Sequence, residues 1–388
     1  MKQIGTFALL IITNIALSQG INYSYHYDEN SEFNLEFKTV YNEFTTDILL
    51  KISTPDSITN YEGILDFRSN YSDNKPDSTA SIILTNAENH GSYWRIDLSF
   101  PVIKERRLLL IQFVHKESGK SYYYDIPLYW HSKINQTSTI IYDSSLQHPV
   151  FSNYLNTNTY YKTDLTEIVS FYSFKFDEAS PPMTIDKNSE NESFQVDSTF
   201  KIQANNTFQL KKEGLYFFEI DSANYHGQAY QIRDTPFPKY ASIGNLIPPL
   251  RYITTNAEFD ELRTTPNKAT FEKVWLEITD DADRAKEIIM KYYRRVELAN
   301  KFFSTFKEGW KTDMGMIYIV FGAPNEVYKH NNKEIWIYTG TKQQPKTTFT
   351  FQKINNLFSD KHFVLERKKE YKAVYMNRVD SWRKNRVK

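Results

Sequence analysis

The chain has 388 residues, 40% of them apolar and 16% aromatic, chiefly Tyr (28) and Phe (27). It is too long for one ordinary core, too rich in buriable side chains to stay disordered, and leans towards β structure. Lys+Arg and Asp+Glu both number 47, so the basic excess that displaces counterions from nucleic acid is missing, and the absence of cysteine excludes disulfides, thiol catalysis, Cys-based zinc sites and a lipid-anchoring cysteine.

Lys2, a mainly apolar run from Ile4 to Leu17, and the small residues Ala16 and Ser18 ahead of Gln19 predict a signal peptide over residues 1–18. The run is shorter than the roughly 20 residues that cross a bilayer. The mature chain is expected to be exported, with no membrane span after cleavage.

From Phe33 to Leu128 apolar and polar residues alternate with period two, the pattern of strands with one wet face. Expected strands are Phe33–Lys38, Asp47–Ile52, Tyr61–Phe67, Ala80–Thr85, Tyr93–Phe100, Arg107–His115 and Ser121–Leu128. Turn clusters such as Asn89-His90-Gly91 and Glu117-Ser118-Gly119-Lys120 separate them. About seven short strands in about 100 residues predict an immunoglobulin-like sandwich over residues 19–132. A second, smaller β-sandwich is expected over 133–235, with Glu167–Phe176 and Gly214–Asp221 as its clearest strands.

Thr235-Pro236-Phe237-Pro238 and Pro248-Pro249 punctuate the chain, after which an α+β domain over 236–388 is expected. Ala285, Ile288, Ile289, Tyr292, Val296, Ala299, Phe303 and Phe306 form one apolar stripe at helical spacing. Asp281 and Asp283 stand at its start, where the helix dipole favours carboxylates. Strands are expected at Met316–Phe321, Glu334–Tyr338, Thr347–Gln352 and His362–Glu366, and a final helix over about 370–386. Together these form a small antiparallel sheet with helices.

The most distinctive string is Gly309-Trp310-Lys311-Thr312-Asp313, followed by Met314, Gly315, an apolar run, and Gly322-Ala323-Pro324-Asn325-Glu326. With Ala299-Asn300 and Phe302-Phe303 ahead of it and Ile335-Trp336 behind, it resembles the GWxTD domain, a module of exported envelope proteins in Bacteroidetes-type bacteria. The resemblance covers about residues 247–366. It implies a protein of the periplasm or cell surface of a Gram-negative bacterium, and it brings no established biochemical role. Relatives often carry Arg where this chain has Met314 and Met316.

Physically, the motif reads as a corner. Gly309 is expected to end the long helix at positive φ, Trp310 to pin the turn to the core, and Thr312 and Asp313 to bond nearby N–H groups. The rival reading is a carboxylate pair, Asp313 with Glu326. A strand over Met316–Phe321 would hold them about 20 Å apart, beyond the roughly 5–9.5 Å that acid–base hydrolysis uses. The eight histidines are scattered, with no metal-ligand spacing, and no nucleotide-binding loop or nucleophile elbow is present. No metal and no cofactor are expected. The expected function is a non-catalytic binding or scaffold protein whose partners are envelope proteins or glycans. The alternative is an envelope hydrolase of glycan or peptide with its site around Asp313.

Overall fold

The computed structural model describes residues 20–387 except 43, 104, 129–138, 145–147, 174, 186–193, 220–226, 280 and 341–344. The expected leader and the expected boundary at 132/133 lie outside the described residues.

The first part comprises β1 (Asn34–Tyr41), β2 (Thr45–Ser53), β3 (Tyr61–Arg68), β4 (Ser78–Ile82), β5 (Glu88–Asn89), β6 (Trp94–Pro101), β7 (Arg107–His115) and β8 (Ser121–Leu128). They form two four-stranded antiparallel sheets, ordered β1-β2-β6-β5 and β4-β3-β7-β8. Alternate residues of β2 (Ile48, Leu50, Ile52) and β7 (Leu109, Ile111, Phe113) share one core with Phe33, as period-two patterning requires.

The second part holds β9 (Ile141–Asp143), β10 (His148–Pro149), β11 (Tyr154–Asn156), β12 (Tyr161–Thr163), β13 (Glu167–Tyr172), β14 (Ser198–Ile202), β15 (Thr207–Phe208), β16 (Gly214–Glu219) and β17 (Gly227–Arg233). Its sheets run β10-β9-β12-β15 and β11-β17-β16-β13-β14. Central strand β16 is buried on both faces. Tyr216 and Phe218 meet the second part's own core. Leu215 and Phe217 pack with Phe306 and Phe358 from the last third.

That last third contains α1 (Ile243–Leu246), α2 (Asn256–Thr264), α3 (Lys268–Thr279), α4 (Ala282–Phe303), α5 (Asp313–Phe321), β18 (Glu326–Lys329), β19 (Lys333–Tyr338), β20 (Thr347–Lys353), β21 (Phe363–Leu365) and α6 (Tyr371–Arg383). Its sheet is antiparallel, ordered β18-β19-β20-β21. Asp281 caps α4 by accepting from the Arg284 N–H at 2.7 Å. Helix α4 stops at Phe303 and not at the expected glycine; Phe306 lies beyond it, in the junction with β16. Helices α2 and α3 lie where the sequence reading placed no element.

The run Met316–Phe321 is a correction: it belongs to helix α5, not to a strand. All nine residues of α5 are buried, so no polar face marks its period, and β-branched Ile317, Ile319 and Val320 imitate a strand. Thr312 makes the difference: its Oγ1 accepts the Gly315 N–H at 2.9 Å and caps the helix.

Residues 20–27 thread from the chain start into the last third. The Tyr23 N–H donates to the Val327 carbonyl and the Val327 N–H to Asn22 Oδ1, both at 2.9 Å. Tyr27 Oη donates to Glu334 at 2.7 Å, while Tyr25 Oη donates to the Tyr123 carbonyl of β8 at 2.6 Å. Beside them Lys329 of β18 pairs with Asp125 of β8 at 2.7 Å. His26 stacks on Tyr124, ring centres 4.5 Å apart. Burial first, then the Lys329 charge, drives its imidazole down to about 3.

Candidate functional site

The Gly-Trp-x-Thr-Asp corner is built by close approach of three backbone segments. A Cβ on Gly309 would stand 1.9 Å from the Ala299 carbonyl oxygen, and one on Gly315 would stand 1.8 Å from the Gly309 oxygen. Both glycines are therefore required by packing. Gly309 does not take positive φ and does not end α4. It opens a 3-10 turn, Gly309–Lys311, between α4 and α5. Of the motif's glycines, Gly322 is the one at positive φ, 89° after α5.

Polar groups at the corner find partners inside the protein, as burial demands. Trp310 is 2% exposed. Its indole N–H donates to Tyr240 Oη at 2.9 Å, its backbone N–H to Asn300 Oδ1 at 3.1 Å, and its carbonyl accepts from Tyr252 Oη at 2.9 Å. The Thr312 hydroxyl donates to the Gly309 carbonyl at 2.7 Å. Asp313 accepts from the Leu365 N–H at 2.7 Å and from both Arg367 terminal nitrogens at 2.9 and 2.6 Å. This two-pronged pairing is the strongest geometry available to a carboxylate. Just ahead, burial pushes Glu308 up, but the charges of Arg233 and Lys311 outweigh it and hold the carboxyl below its ordinary value.

At the far end of α5, Arg295 donates to the Ile319 and Val320 carbonyls at 3.2 and 3.3 Å, Arg378 to Phe321 at 2.8 Å, and the Trp382 indole to Val320 at 3.1 Å. Cations and donors thus meet the negative end of the helix dipole. The Gly322 carbonyl accepts from Tyr338 Oη at 2.8 Å, and Pro324 is buried in the following turn. Glu326 opens β18 and accepts from Tyr328 Oη at 2.9 Å.

The two candidate acids are not brought together. Asp313 holds β21, whereas Glu326 starts β18 at the opposite edge of the sheet. Three strand spacings separate those edges, about 14 Å. Arg367, Asn300 and Tyr240 complete the corner; Arg367 and Tyr240 were missed by sequence reasoning, and Asn300 was read only as a flank of the motif. Asn300, inside an apolar helical stripe, was the one residue whose pattern could have drawn attention. Among the described residues no group of three or more His, Asp or Glu is placed to hold a metal ion. None of the described helices is long and apolar enough to cross a membrane.

A larger concavity lies elsewhere, where the three parts meet. A cleft of about 670 Å³ runs along β1, with β10, β11 and the segment after α4 opposite. A second cavity of about 300 Å³ adjoins it and is lined in part by Thr312 and Met314.

A β-rich chain closed by an α+β domain on a glycine-packed Gly-Trp-x-Thr-Asp corner defines a class by its fold and motif. Residues 214–384 match the GWxTD domain family, so the chain carries a GWxTD domain. The match begins at Gly214, the first residue of β16. No curated protein matches the chain.

Proposed function

We propose that this is an exported envelope protein of a Gram-negative bacterium that binds partners without catalysis, its β parts presenting the GWxTD domain to envelope proteins or glycans. The observation that carries the reading is the state of Asp313. Its carboxylate is held by Arg367 and the Leu365 N–H, which leaves it poorly placed to move a proton or attack a substrate. Trp310 and Thr312 are likewise committed to internal bonds. The leader-like residues 1–18 support export.

Two measurements test this. Intact mass of the native protein is expected to place the new N-terminus near Gln19. Purified protein is expected to release nothing from envelope glycan or peptide substrates. Turnover that disappears in Asp313→Asn would replace the binding reading with a hydrolase.

A further inference from the structure

The cleft has an unusual wall. Five consecutive residues of β1, Leu35 to Thr39, line it, although successive side chains of a strand point to opposite faces. The cleft therefore runs along the edge of the strand. Among the described residues β1 is an outermost strand, paired only with β2.

The register says which backbone groups face the cleft. The Asn42 N–H donates to the Thr45 carbonyl, and the β1–β2 pairing continues in the same register through Val40↔Asp47, Lys38↔Leu49 and Glu36↔Lys51. Even-numbered residues of β1 thus bond to β2, and odd-numbered ones point their N–H and C=O outward. Phe37 and Thr39 present these groups to the cleft, and among the described residues nothing takes them up, whereas the Leu35 backbone already bonds the Tyr124 hydroxyl. A row of alternating donors and acceptors is the template on which another strand adds.

Charge indicates the guest. Lys38, Lys301 and Lys361 line the cleft, and none has a carboxylate partner among the described residues. Lys361 lies over the Phe37 ring at 5.2 Å. Lys38 is 7% exposed, and the only hydrogen-bond partner of its ammonium among the described residues is Tyr230 Oη at 3.2 Å. Burial first, then Lys361, pushes it down to about 7 against the smaller opposing pull of Asp360 and Glu36, the expected response of a buried cation. The acids at the cleft are Glu36, taken by Lys51 at 2.8 Å, and Asp143 and Asp360, each with a partner of its own.

We propose that the free edge of β1 is a docking site for an extended acidic segment of a partner protein, which adds as a further strand and sets its carboxylates against Lys38, Lys301 and Lys361. This rests on the binding reading above and narrows it to one surface and one kind of partner. A saccharide would use the lysines and rings but not the two-residue repeat of the strand edge.

The test uses the full chain. Hydrogen exchange of the free protein is expected to show Phe37 and Thr39 amides exchanging at least about 100-fold faster than Glu36, Lys38 and Val40, because only the latter are in the ladder. Selection from a displayed library of random dodecapeptides is expected to enrich Asp- and Glu-rich sequences that slow exchange at Phe37 and Thr39. Thr39→Pro removes one outward N–H and no ladder bond, a substitution that edge strands tolerate. It is expected to weaken the selected peptides at least about tenfold. Should Thr39→Pro lower the melting temperature, Lys301→Glu and Lys361→Glu, both on exposed side chains, carry the same comparison. Slow exchange at Phe37 and Thr39 of the free protein overturns the proposal, because the edge is then already covered. So does enrichment of no acidic peptide, or equal binding by all variants. Envelope partners that still bind Thr39→Pro would remove this surface and leave the wider binding reading standing.

Discussion

Truncation of Asp313 to alanine measures what the motif's acid does. In the folded protein its side chain is 8% exposed and that of Arg367 is 15% exposed. Asp313→Ala strands the guanidinium and the Leu365 N–H together. Removing one partner of a buried ion pair costs about 3–5 kcal/mol, and a buried N–H left without an acceptor about 1–3 kcal/mol more if nothing replaces it. Arg367 keeps its bond to the Ser180 carbonyl at 3.2 Å, so part of the loss is recovered, and about 4 kcal/mol is expected. Chemical denaturation followed by tryptophan fluorescence reports it, since Trp310 and Trp336 lie in the same core as α5. A double-mutant cycle with Arg367→Met should show a coupling energy above about 2 kcal/mol. An Asp313→Ala protein within about 1 kcal/mol of the parent would refute the reasoning and return the carboxylate to the list of reactive groups.

Gly315→Ala is expected to be among the most damaging substitutions, above about 3 kcal/mol, because its methyl group meets the Gly309 backbone. Gly244→Ala, with nothing within 4 Å, is the matched control, and soluble yield with a thermal melt separates them. Thr312→Ala should cost about 1–2 kcal/mol through the lost cap of α5, read in the same denaturation assay. For His26 the folded value, about 3, lies below the ordinary 6.5, so the unfolded chain binds the extra proton. The stability it protects is present above pH 6.5 and is lost as pH falls towards 3, at up to about 1.4 kcal/mol per pH unit. His362, lowered to about 4 by burial, acts in the same direction. Stability curves from pH 7 to 4 should therefore be shallower for His26→Gln than for the parent.

Much of the first part was legible because its strands have one wet face. Arg107–His115 and Ser121–Leu128 were expected with the bounds they have. The failures share a physical cause. In α5 every side chain is buried, so hydrophobic pattern carries no period, and only the cap at Thr312 could have distinguished helix from strand. The corner's glycines were legible as special but for the wrong reason: positive φ is a local property, whereas the approach of Gly309 to Ala299 depends on α4 returning against the turn. Arg367 was invisible because its partner lies 54 positions away. The second part was blurred because six of its nine strands have five residues or fewer and so little room for alternation.

The strap formed by residues 20–27 has a consequence for the order of assembly. Its bonds to Val327 and Glu334 close loops of more than 300 residues, among the longest closures a chain of this length permits. Contacts so distant in sequence form late, because the entropy of closing the loop is lost before the contacts offset it. The strap would therefore settle last, after α5 and the β18–β21 sheet have formed the surface that receives it. Until then Tyr23, Tyr25 and Tyr27 stay exposed on a short polar tether, Asp28–Glu32, which makes this the stage at which a chaperone has most to bind.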